Sequence, residues 1–334
     1  MSRGLLQILT FVLGAALSAW LTPRVREAAI RFGIVDRPDG RLKNHEEPVA
    51  YLGGLAIYLS FVLSLALTVP FSRETLALLL AGSIVVLIGL VDDLGSLSPW
   101  TKLAGQATAV TVLVKSGIYI KLTFIPEPLA IALSILWLLA CTNAFNLIDI
   151  MDGLSAGTAT VASVALIVVA TLAEKHASAF ILAALAGSCV GFLRYNFEPA
   201  RIYMGDCGSL FLGLMLGATA MNNAYTQTNR LAAIAPALIL GVPLFDMLFV
   251  MYVRRRRGMP LMLGSPDHVA LRLRKWRLTT RQTVLASYAA TALLGAAALA
   301  MSWATPPVAA WILGGVAATA VGLAAWLKTI DMTL

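Results

Sequence analysis

Long apolar stretches separated by short polar ones dominate the chain. Apolar runs of about 17 to 25 residues are long enough to cross a bilayer as helices. The first run has Arg3 ahead of it and small residues behind it, as in a signal peptide, but we expect it to be retained because further spans follow. The pattern predicts ten or eleven transmembrane helices, near residues 4–21, 51–71, 75–91, 102–117, 127–145, 154–172, 177–194, 207–223, 232–253, 283–302 and 306–327.

The composition agrees with a chain that lies mostly in lipid. Hydrophobic residues make up 59% of the 334 positions, charged residues only 13%, and the mean hydropathy is +0.83. Soluble domains have about 45–50% apolar residues. We therefore predict an all-α polytopic membrane protein, with residues 1–334 forming one integral-membrane domain. Cys141, Cys189 and Cys207 lie in or beside apolar runs and are odd in number, which favours small buried side chains over a disulfide framework.

Basic residues are distributed unevenly between the two sides. The loops after spans one, three, five, seven and nine hold 18 of the 25 lysines and arginines, against six on the other side. The positive-inside rule then predicts an inner (plasma) membrane protein with an external N-terminus. The excess basic charge, a net +8 for the chain, therefore lies on the side where anionic lipid and nucleotide are found. We expect no nucleic-acid partner. The predicted cytoplasmic loops are 23–50, 92–101, 146–153, 195–206 and 254–281.

Acidic residues gather at or near this same face. Asp92 and Asp93 end span three, Asp149 and Asp152 follow span five, and Asp206 opens span eight. Carboxylates at the edge of hydrocarbon are costly unless they face a polar cavity, a cation or a partner. Acids among many arginines indicate a divalent metal and a phosphorylated substrate. Two further acids belong to the same face: Asp246 inside span nine, and Asp267, beside His268, in the loop after it.

Each of these features also has an ordinary structural explanation. The Asp92–Asp93 pair could be solvated at the interface, residues 146–153 could form a polar turn, and Asp206 could cap a helix. The run of four arginines at 254–257 is typical of a topology anchor. Spacing favours a site, because Asn143, Asn146 and Asp149 would share one face if their helix continued.

Taken together, these stretches resemble the polyprenyl-phosphate N-acetylhexosamine-1-phosphate transferase family, which includes WecA, TagO and MraY. The elements NxxNxxDxxDG and GDxGS are specific, and the resemblance extends over nearly the whole chain. It is carried by DRPDGRLKNHEEPVAYLGG (36–54), VDDLGSLSPW (91–100), NAFNLIDIMDGLSAG (143–157), MGDCGSLFLG (204–213), PLFDMLFVMYVRR (243–255) and SPDHVALRL (265–273).

The resemblance implies a single reaction at the cytoplasmic face. A polyprenyl monophosphate attacks the β-phosphorus of a UDP-N-acetylhexosamine and releases UMP, with Mg²⁺, or alternatively Mn²⁺, as cofactor. The partners it implies are the lipid phosphate, the UDP-sugar and the membrane, with a homodimer as an open alternative. The residues it marks are Asp92, Asp93 and Asp149 as catalytic, Asp206 and Asp149 as metal ligands, and Lys43, His45, Asn143, Asn146, Asp152, Asp246, His268 and Arg272 as substrate-binding.

The chemistry favours charge neutralisation over proton removal. Two anions must approach each other, so cations are the main need. A phosphate monoester has a second pKa of about 6 and is largely ionised near pH 7, so a strong general base is not required. For Asp92 and Asp93 the roles of general base and positioning group both stay open.

One departure from the family pattern concerns the last large loop. Many WecA-type members carry an HxHH cluster there. This chain has His268 at the first position, but Ala270 and Leu271 stand in place of the second and third histidines. The first loop is nearer to the WecA and TagO pattern, so we expect UDP-N-acetylglucosamine as donor. Another UDP-N-acetylhexosamine and UDP-MurNAc-pentapeptide stay open. A secondary transporter is the alternative from another class, although its carboxylates would lie near the bilayer midplane and in repeated halves.

Overall fold

The structure is a computed structural model that describes residues 2–36, 49–260 and 266–332. Two predicted substrate-binding residues, Lys43 and His45, lie outside the described residues. Nearly all regular structure is helical, and the prediction of an all-α polytopic membrane protein is confirmed. The elements are α1 (Arg3–Arg31), β1 (Val35–Asp36), β2 (Val49–Ala50), α2 (Gly53–Thr68), α3 (Arg73–Gly95), α4 (Pro99–Lys115), α5 (Glu127–Leu147), α6 (Leu154–Leu172), α7 (His176–Asn196), α8 (Gly205–Met221), a 3₁₀ helix (Arg230–Ile234), α9 (Ala235–Ile239), α10 (Gly241–Arg256), α11 (Val269–Lys275), α12 (Thr280–Trp303) and α13 (Pro306–Lys328).

Within the described residues, seven helices are long and apolar enough to cross a membrane, or eight if one bent pair counts as a single span. The predicted apolar runs all coincide with helices, but three of these are too short to count among the seven: α2, α4 and α8 have 16, 17 and 17 residues. The first helix is longer than its predicted run, continuing past Pro23 to Arg31. An amphipathic extension beyond the apolar stretch accounts for this difference.

The ninth predicted span, 232–253, is broken rather than straight. The segment Arg230–Ile239 and α10 meet at an angle of 80°, with Leu240 between them. Pro243 lies three residues further on. Proline has no N–H, and its ring clashes with the carbonyl four residues earlier, here that of Ile239. Helical hydrogen bonding is therefore interrupted at this point, and the sequence analysis did not predict the bend.

Helix α8 lies at the centre of the bundle, and glycines bring its neighbours close. A side chain at Gly54 of α2 would overlap the backbone of Gly208, and one at Gly89 of α3 would overlap the backbone of Asp206 and Cys207. Gly213 of α8 lies against the carbonyl of Cys141 in the same way. Small residues allow such close backbone packing between membrane helices. The packing fixes the start of α8 against α2 and α3.

One end of the bundle collects most of the polar contacts, and we call it the polar end. Here α3, α5 and α7 end and α4, α6 and α8 begin. The N–H of Gly153 donates to the Asn196 side chain at 3.0 Å, which ties the start of α6 to the end of α7. Tyr288 of α12 donates to the carbonyl of Gly153 at 2.6 Å, and Arg281 donates to the carbonyl of Glu198 at 3.1 Å. The start of α12 therefore lies at the polar end as well.

Candidate active site

Asp93 holds the first turn of α8 in place. Its two carboxylate oxygens accept the N–H groups of Asp206 at 2.7 Å and Cys207 at 3.1 Å. A carboxylate is favoured at a helix N-terminus, where N–H groups are unsatisfied and the helix dipole is positive. Gly205 has a φ of +74°, and a side chain there would meet the Asp93 carboxylate. The glycine is therefore required by both the backbone conformation and the space beside Asp93.

Asp206 itself belongs to a cluster of four side chains from four helices, which we call the Asp206 cluster: Asp92, Lys102, Asn146 and Asp206. The Lys102 ammonium lies 3.1 Å from an Asp92 carboxylate oxygen, forms an ion pair with Asp206, and donates to the Asn146 carbonyl oxygen at 3.2 Å. Asn146 in turn donates to Asp206 at 2.7 Å and to Ser209 at 2.9 Å. Each cluster member is only partly exposed.

Lys102 is the main residue that sequence reasoning missed. It was counted only as a topology charge, although it is the one basic residue in the loop after span three and follows the Asp92–Asp93 pair by ten residues. An ammonium near two carboxylates at the end of a span was the available signal. The contact to Asp206 joins residues 104 positions apart, so spacing alone could not predict it.

Asp149 lies in the turn between α5 and α6, because α5 ends at Leu147. Helical continuation of the Asn143 and Asn146 face to Asp149 is therefore not observed. Burial raises the pKa of Asp149 well above its usual range, and the carboxylates of Asp206, Asp93 and Asp152 raise it further. Positive charge supplied at this position would favour the ionised form.

Asp152 and Asn143 lie next to the cluster without joining it. Asp152 accepts the N–H of Ala200 at 2.8 Å, linking the α5–α6 turn to the loop before α8. Burial, and then the charges of Asp152 and Asp36, raise the pKa of Tyr203 in that loop to about 12. Asn143 pairs with Gln106 of α4, at 2.7 and 3.3 Å. Asn143 thus makes a contact that joins α5 to α4, and its substrate-binding role stays a prediction.

Asp246, His268 and Arg272 form a second group, on α10 and α11. Asp246 contacts His268 Nδ1 at 2.7 Å and accepts the N–H of Val269 at 2.6 Å, and both side chains are nearly fully buried. Arg272 is 2% exposed and uses four of its five N–H groups inside the protein. No hydrogen bond or ion pair between described residues joins this group to the Asp206 cluster. Its visible contacts fasten α11 to α10 and α13.

The oxygens of Asp206 and Asn146, with the Asp149 carboxylate beside the cluster, are of the kinds that could hold a magnesium ion. Carboxylate and carboxamide oxygens of Asp92, Asp206 and Asn146 converge on one positive charge. Mg²⁺ is usually bound by one or two carboxylates together with substrate phosphates, rather than by an all-protein cage.

Apolar helices with carboxylates, an amide and a lysine gathered at one end define an integral-membrane protein with a charged site where its helices end. The glycosyl transferase family 4 model matches residues 75–223, a segment that contains all four members of the Asp206 cluster, along with Asp93, Asp149 and Asp152. Together with the relatives described next, this match shows that the chain belongs to glycosyl transferase family 4.

Several proteins are similar to this chain along most of its length. The probable undecaprenyl-phosphate N-acetylglucosaminyl 1-phosphate transferase of Bacillus subtilis is 31% identical, over 84% of this chain and 81% of that protein. The decaprenyl-phosphate N-acetylglucosaminephosphotransferase of Mycolicibacterium smegmatis is 32% identical, over 90% and 83%. The phospho-N-acetylmuramoyl-pentapeptide-transferase of Heliobacterium modesticaldum is 30% identical, over 82% and 90%. Sequence identity therefore does not distinguish relatives named for N-acetylglucosamine phosphate transfer from the relative named for N-acetylmuramoyl-pentapeptide transfer.

Proposed function

We propose that this enzyme transfers N-acetylglucosamine 1-phosphate from UDP-N-acetylglucosamine to polyprenyl phosphate and releases UMP. The observation that carries the proposal is the Asp206 cluster, because its partly exposed charges lie where apolar helices end. A lipid-anchored phosphate and a soluble nucleotide sugar can both reach such a position. The names of the Bacillus and Mycolicibacterium relatives support polyprenyl phosphate as acceptor and N-acetylglucosamine phosphate as the transferred group.

The charges of the cluster suit the approach of two phosphates. Lys102 would attract phosphate oxygens once these compete with Asp92 and Asp206 for its ammonium. Asp206, Asp149 and Asn146 are the side chains that would hold Mg²⁺, with Mn²⁺ as the alternative ion. When bound, the ion would neutralise charge on the transferred phosphoryl group.

Positioning is the role we assign to the two aspartates of α3. Asp93 is occupied by the N–H groups of Asp206 and Cys207, so it holds Asp206 in place. Asp92 accepts the N–H of Leu97 and contacts Lys102, so it orients the ammonium. The acceptor phosphate is already largely ionised near pH 7, and the proposal therefore needs no proton transfer to either carboxylate.

The distribution of basic residues supports a reaction at the cytoplasmic face of the inner membrane. Of the basic residues, 18 of 25 belong to the predicted cytoplasmic side. Contacts of Asp206, Asp152 and Arg281 all occur at the polar end, which therefore corresponds to that side. A UDP-sugar made in the cytoplasm would reach the cluster without crossing the membrane.

A donor panel tests the proposal directly. Purified full-length protein would be assayed for UMP release with undecaprenyl phosphate and Mg²⁺. The donors would be UDP-N-acetylglucosamine, UDP-N-acetylgalactosamine, a deoxy-amino UDP-sugar and UDP-MurNAc-pentapeptide, with reactions lacking the lipid acceptor as control. We expect UDP-N-acetylglucosamine to be preferred. Preference for the pentapeptide donor would reject UDP-N-acetylglucosamine as the donor. If no donor in the panel gave lipid-dependent UMP release, the transporter alternative would be favoured.

A further inference from the structure

A basic pocket that shares no residue with the Asp206 cluster lies between the ends of α10 and α13 and the side of α11. Its volume is about 230 Å³. Three separate elements build it, so it is a concave site rather than a single charged helix face. The pocket is lined by Tyr252, Val253, Arg256, Arg257, Arg272 and Lys328.

The charge of this pocket is only partly balanced. Asp267 accepts hydrogen bonds from Arg257, at 2.9 and 3.1 Å, and from Arg272 at 2.7 Å. Arg256 and Lys328 have no ion pair within the described part of the chain, and both are exposed. Four cationic side chains against Asp267 leave a positive net charge, which remains even if Asp331 near the end of the chain is counted.

Aromatic residues in and beside the pocket are of the types found at the depth of lipid headgroups. Trp276 and Trp326 pack edge to face with ring centroids 5.0 Å apart, and Lys328 follows Trp326 by two residues. The Lys328 ammonium lies 5.2 Å from the centre of the Tyr252 ring. Tryptophan and tyrosine are enriched at the membrane–water interface, and lysine extends its charge toward headgroups while its stem stays in apolar surroundings.

The pocket also lies at the polar end of the bundle. Arg272 donates to the carbonyls of Leu327 and Ile330, both at 2.9 Å, which fixes the end of α13 against α11. Helix α12 follows α11 and begins beside Glu198. Basic pockets between membrane helices bind anionic lipid headgroups when they lie on the side where anionic lipid is abundant.

We propose that this pocket binds the phosphate headgroup of an anionic phospholipid such as phosphatidylglycerol. Arg256 and Lys328 contact the phosphate, Tyr252 lies beside it, and the Asp267-bound Arg257 and Arg272 form a fixed positive wall. The acyl chains extend along the exposed apolar surface of α13. The proposal concerns lipid binding and does not depend on the proposed substrates.

Lipid titration by native mass spectrometry of the delipidated, full-length protein tests the proposal. The probes are phosphatidylglycerol and zwitterionic phosphatidylcholine, and the variant is Arg256→Gln with Lys328→Gln. Each basic residue near an anionic surface contributes enough for about a fivefold change, so we expect the double variant to bind phosphatidylglycerol roughly thirtyfold more weakly. Binding of phosphatidylcholine is expected to be weak and unchanged.

The matched control replaces two exposed basic residues of α11 that do not line the pocket, Arg274→Gln with Lys275→Gln. It removes the same charge, and we expect an effect of about twofold or less because exposed charges further away are screened. An equal loss in the control, or no loss in the pocket variant, would overturn the proposal. If the double variant does not fold, Lys328→Gln alone decides, with about fivefold weakening expected and unchanged binding as the refuting result.

A separate arm distinguishes lipid from a soluble phosphate. Inorganic phosphate and UMP are each titrated against wild-type protein carrying phosphatidylglycerol. We expect neither to displace the lipid, since burial of the acyl chains adds to the binding of a phospholipid and is lacking in a soluble phosphate. Displacement by either compound, lost in the pocket variant, would assign the pocket to a soluble anion and overturn the lipid proposal.

Discussion

At the scale of single residues, Asp206 is where contacts from several helices converge. Its backbone N–H is held by Asp93, and its carboxylate by Lys102 and Asn146. The main chain thus fixes the residue while the carboxylate keeps a partly exposed position. This arrangement distinguishes Asp93, whose oxygens are both occupied by backbone groups, from Asp206, whose oxygens contact charged and polar side chains.

The first residue-scale prediction concerns Asp206→Asn. The change keeps the shape and removes the charge, so we expect UMP release to fall by at least about a hundredfold, or ~2.7 kcal/mol of transition-state stabilisation. The protein should remain folded, because Asp93 still holds the α8 backbone. The measurement is kcat/KM over a range of Mg²⁺ concentrations. Glu74→Gln, an exposed acid at the other end of α3, is the control; unchanged activity in the Asp206 variant would make that residue a structural contact only.

Lys102 gives the second residue-scale prediction. Replacing it by Gln leaves the carboxylates of Asp92 and Asp206 facing each other, and we expect the free energy of unfolding to fall by about 1.5–3 kcal/mol. Because Mg²⁺ then meets no competing ammonium, it should raise the melting temperature of the variant more than that of the wild type. Thermal melts with and without Mg²⁺ check this, with Lys115→Gln at the far end of α4 as control. Equal Mg²⁺ effects in both proteins would contradict the idea that Mg²⁺ and the Lys102 ammonium compete for the same position.

At the scale of elements, the contact of α3 with α8 decides where the site lies. Gly89 allows the two backbones to touch beside Asp206 and Cys207, and Asp93 then reaches the start of α8. The N-terminus of α8 is therefore positioned by its neighbour rather than by its own sequence. The same close packing recurs at Gly54 and Gly208, where α2 meets α8.

Gly89→Ala tests this contact. Alanine suits a helix better than glycine by up to about 1 kcal/mol, so any loss must come from the clash with α8. A displacement of about 1 Å at Asp206 is expected to cost about a hundredfold in kcat/KM, together with a lower melting temperature. Gly315→Ala on α13, where a side chain would meet nothing within 4 Å, should leave both quantities unchanged. A fully active Gly89 variant would show that the spacing is not required.

At the scale of the whole molecule, the helices bring their polar ends together at one side. Contacts tie the ends of α3, α5 and α7 to the starts of α4, α6 and α8. The loop after α8 is separated from the polar end by the length of α8, which has 17 residues. A 17-residue helix spans about 25 Å, close to the roughly 30 Å thickness of a hydrocarbon core.

Topology follows from this arrangement and can be measured by cysteine labelling in intact cells. The native cysteines Cys141, Cys189 and Cys207 are buried, so they should react slowly. We expect Arg201→Cys and Lys275→Cys to be protected from an impermeant reagent, and Gln227→Cys, in the loop after α8, to be modified. Finding Arg201→Cys and Lys275→Cys on opposite sides of the membrane would contradict a single polar end.

The sequence by itself determined the membrane class, the helices and the acids of the site. Apolar run length is a local property, and every predicted run except the broken ninth coincides with one helix, because the lipid environment requires internal backbone hydrogen bonding. The motif around Asn146 and Asp149 and the motif around Asp206 are likewise local. They identified the family from neighbouring residues alone, and the comparisons confirm that family.

Only the tertiary structure decided which of these polar residues meet. Lys102 reaches Asp206 across 104 residues, and Asp93 reaches the α8 backbone across 113. Asn143 pairs with Gln106, and Arg272 is buried against the end of α13, contacts that residue type and spacing did not indicate. The break at Leu240 was visible only as a proline within an apolar run. The physical reason is the same throughout: these contacts depend on how helices pack, and packing is set by small residues far apart in the chain.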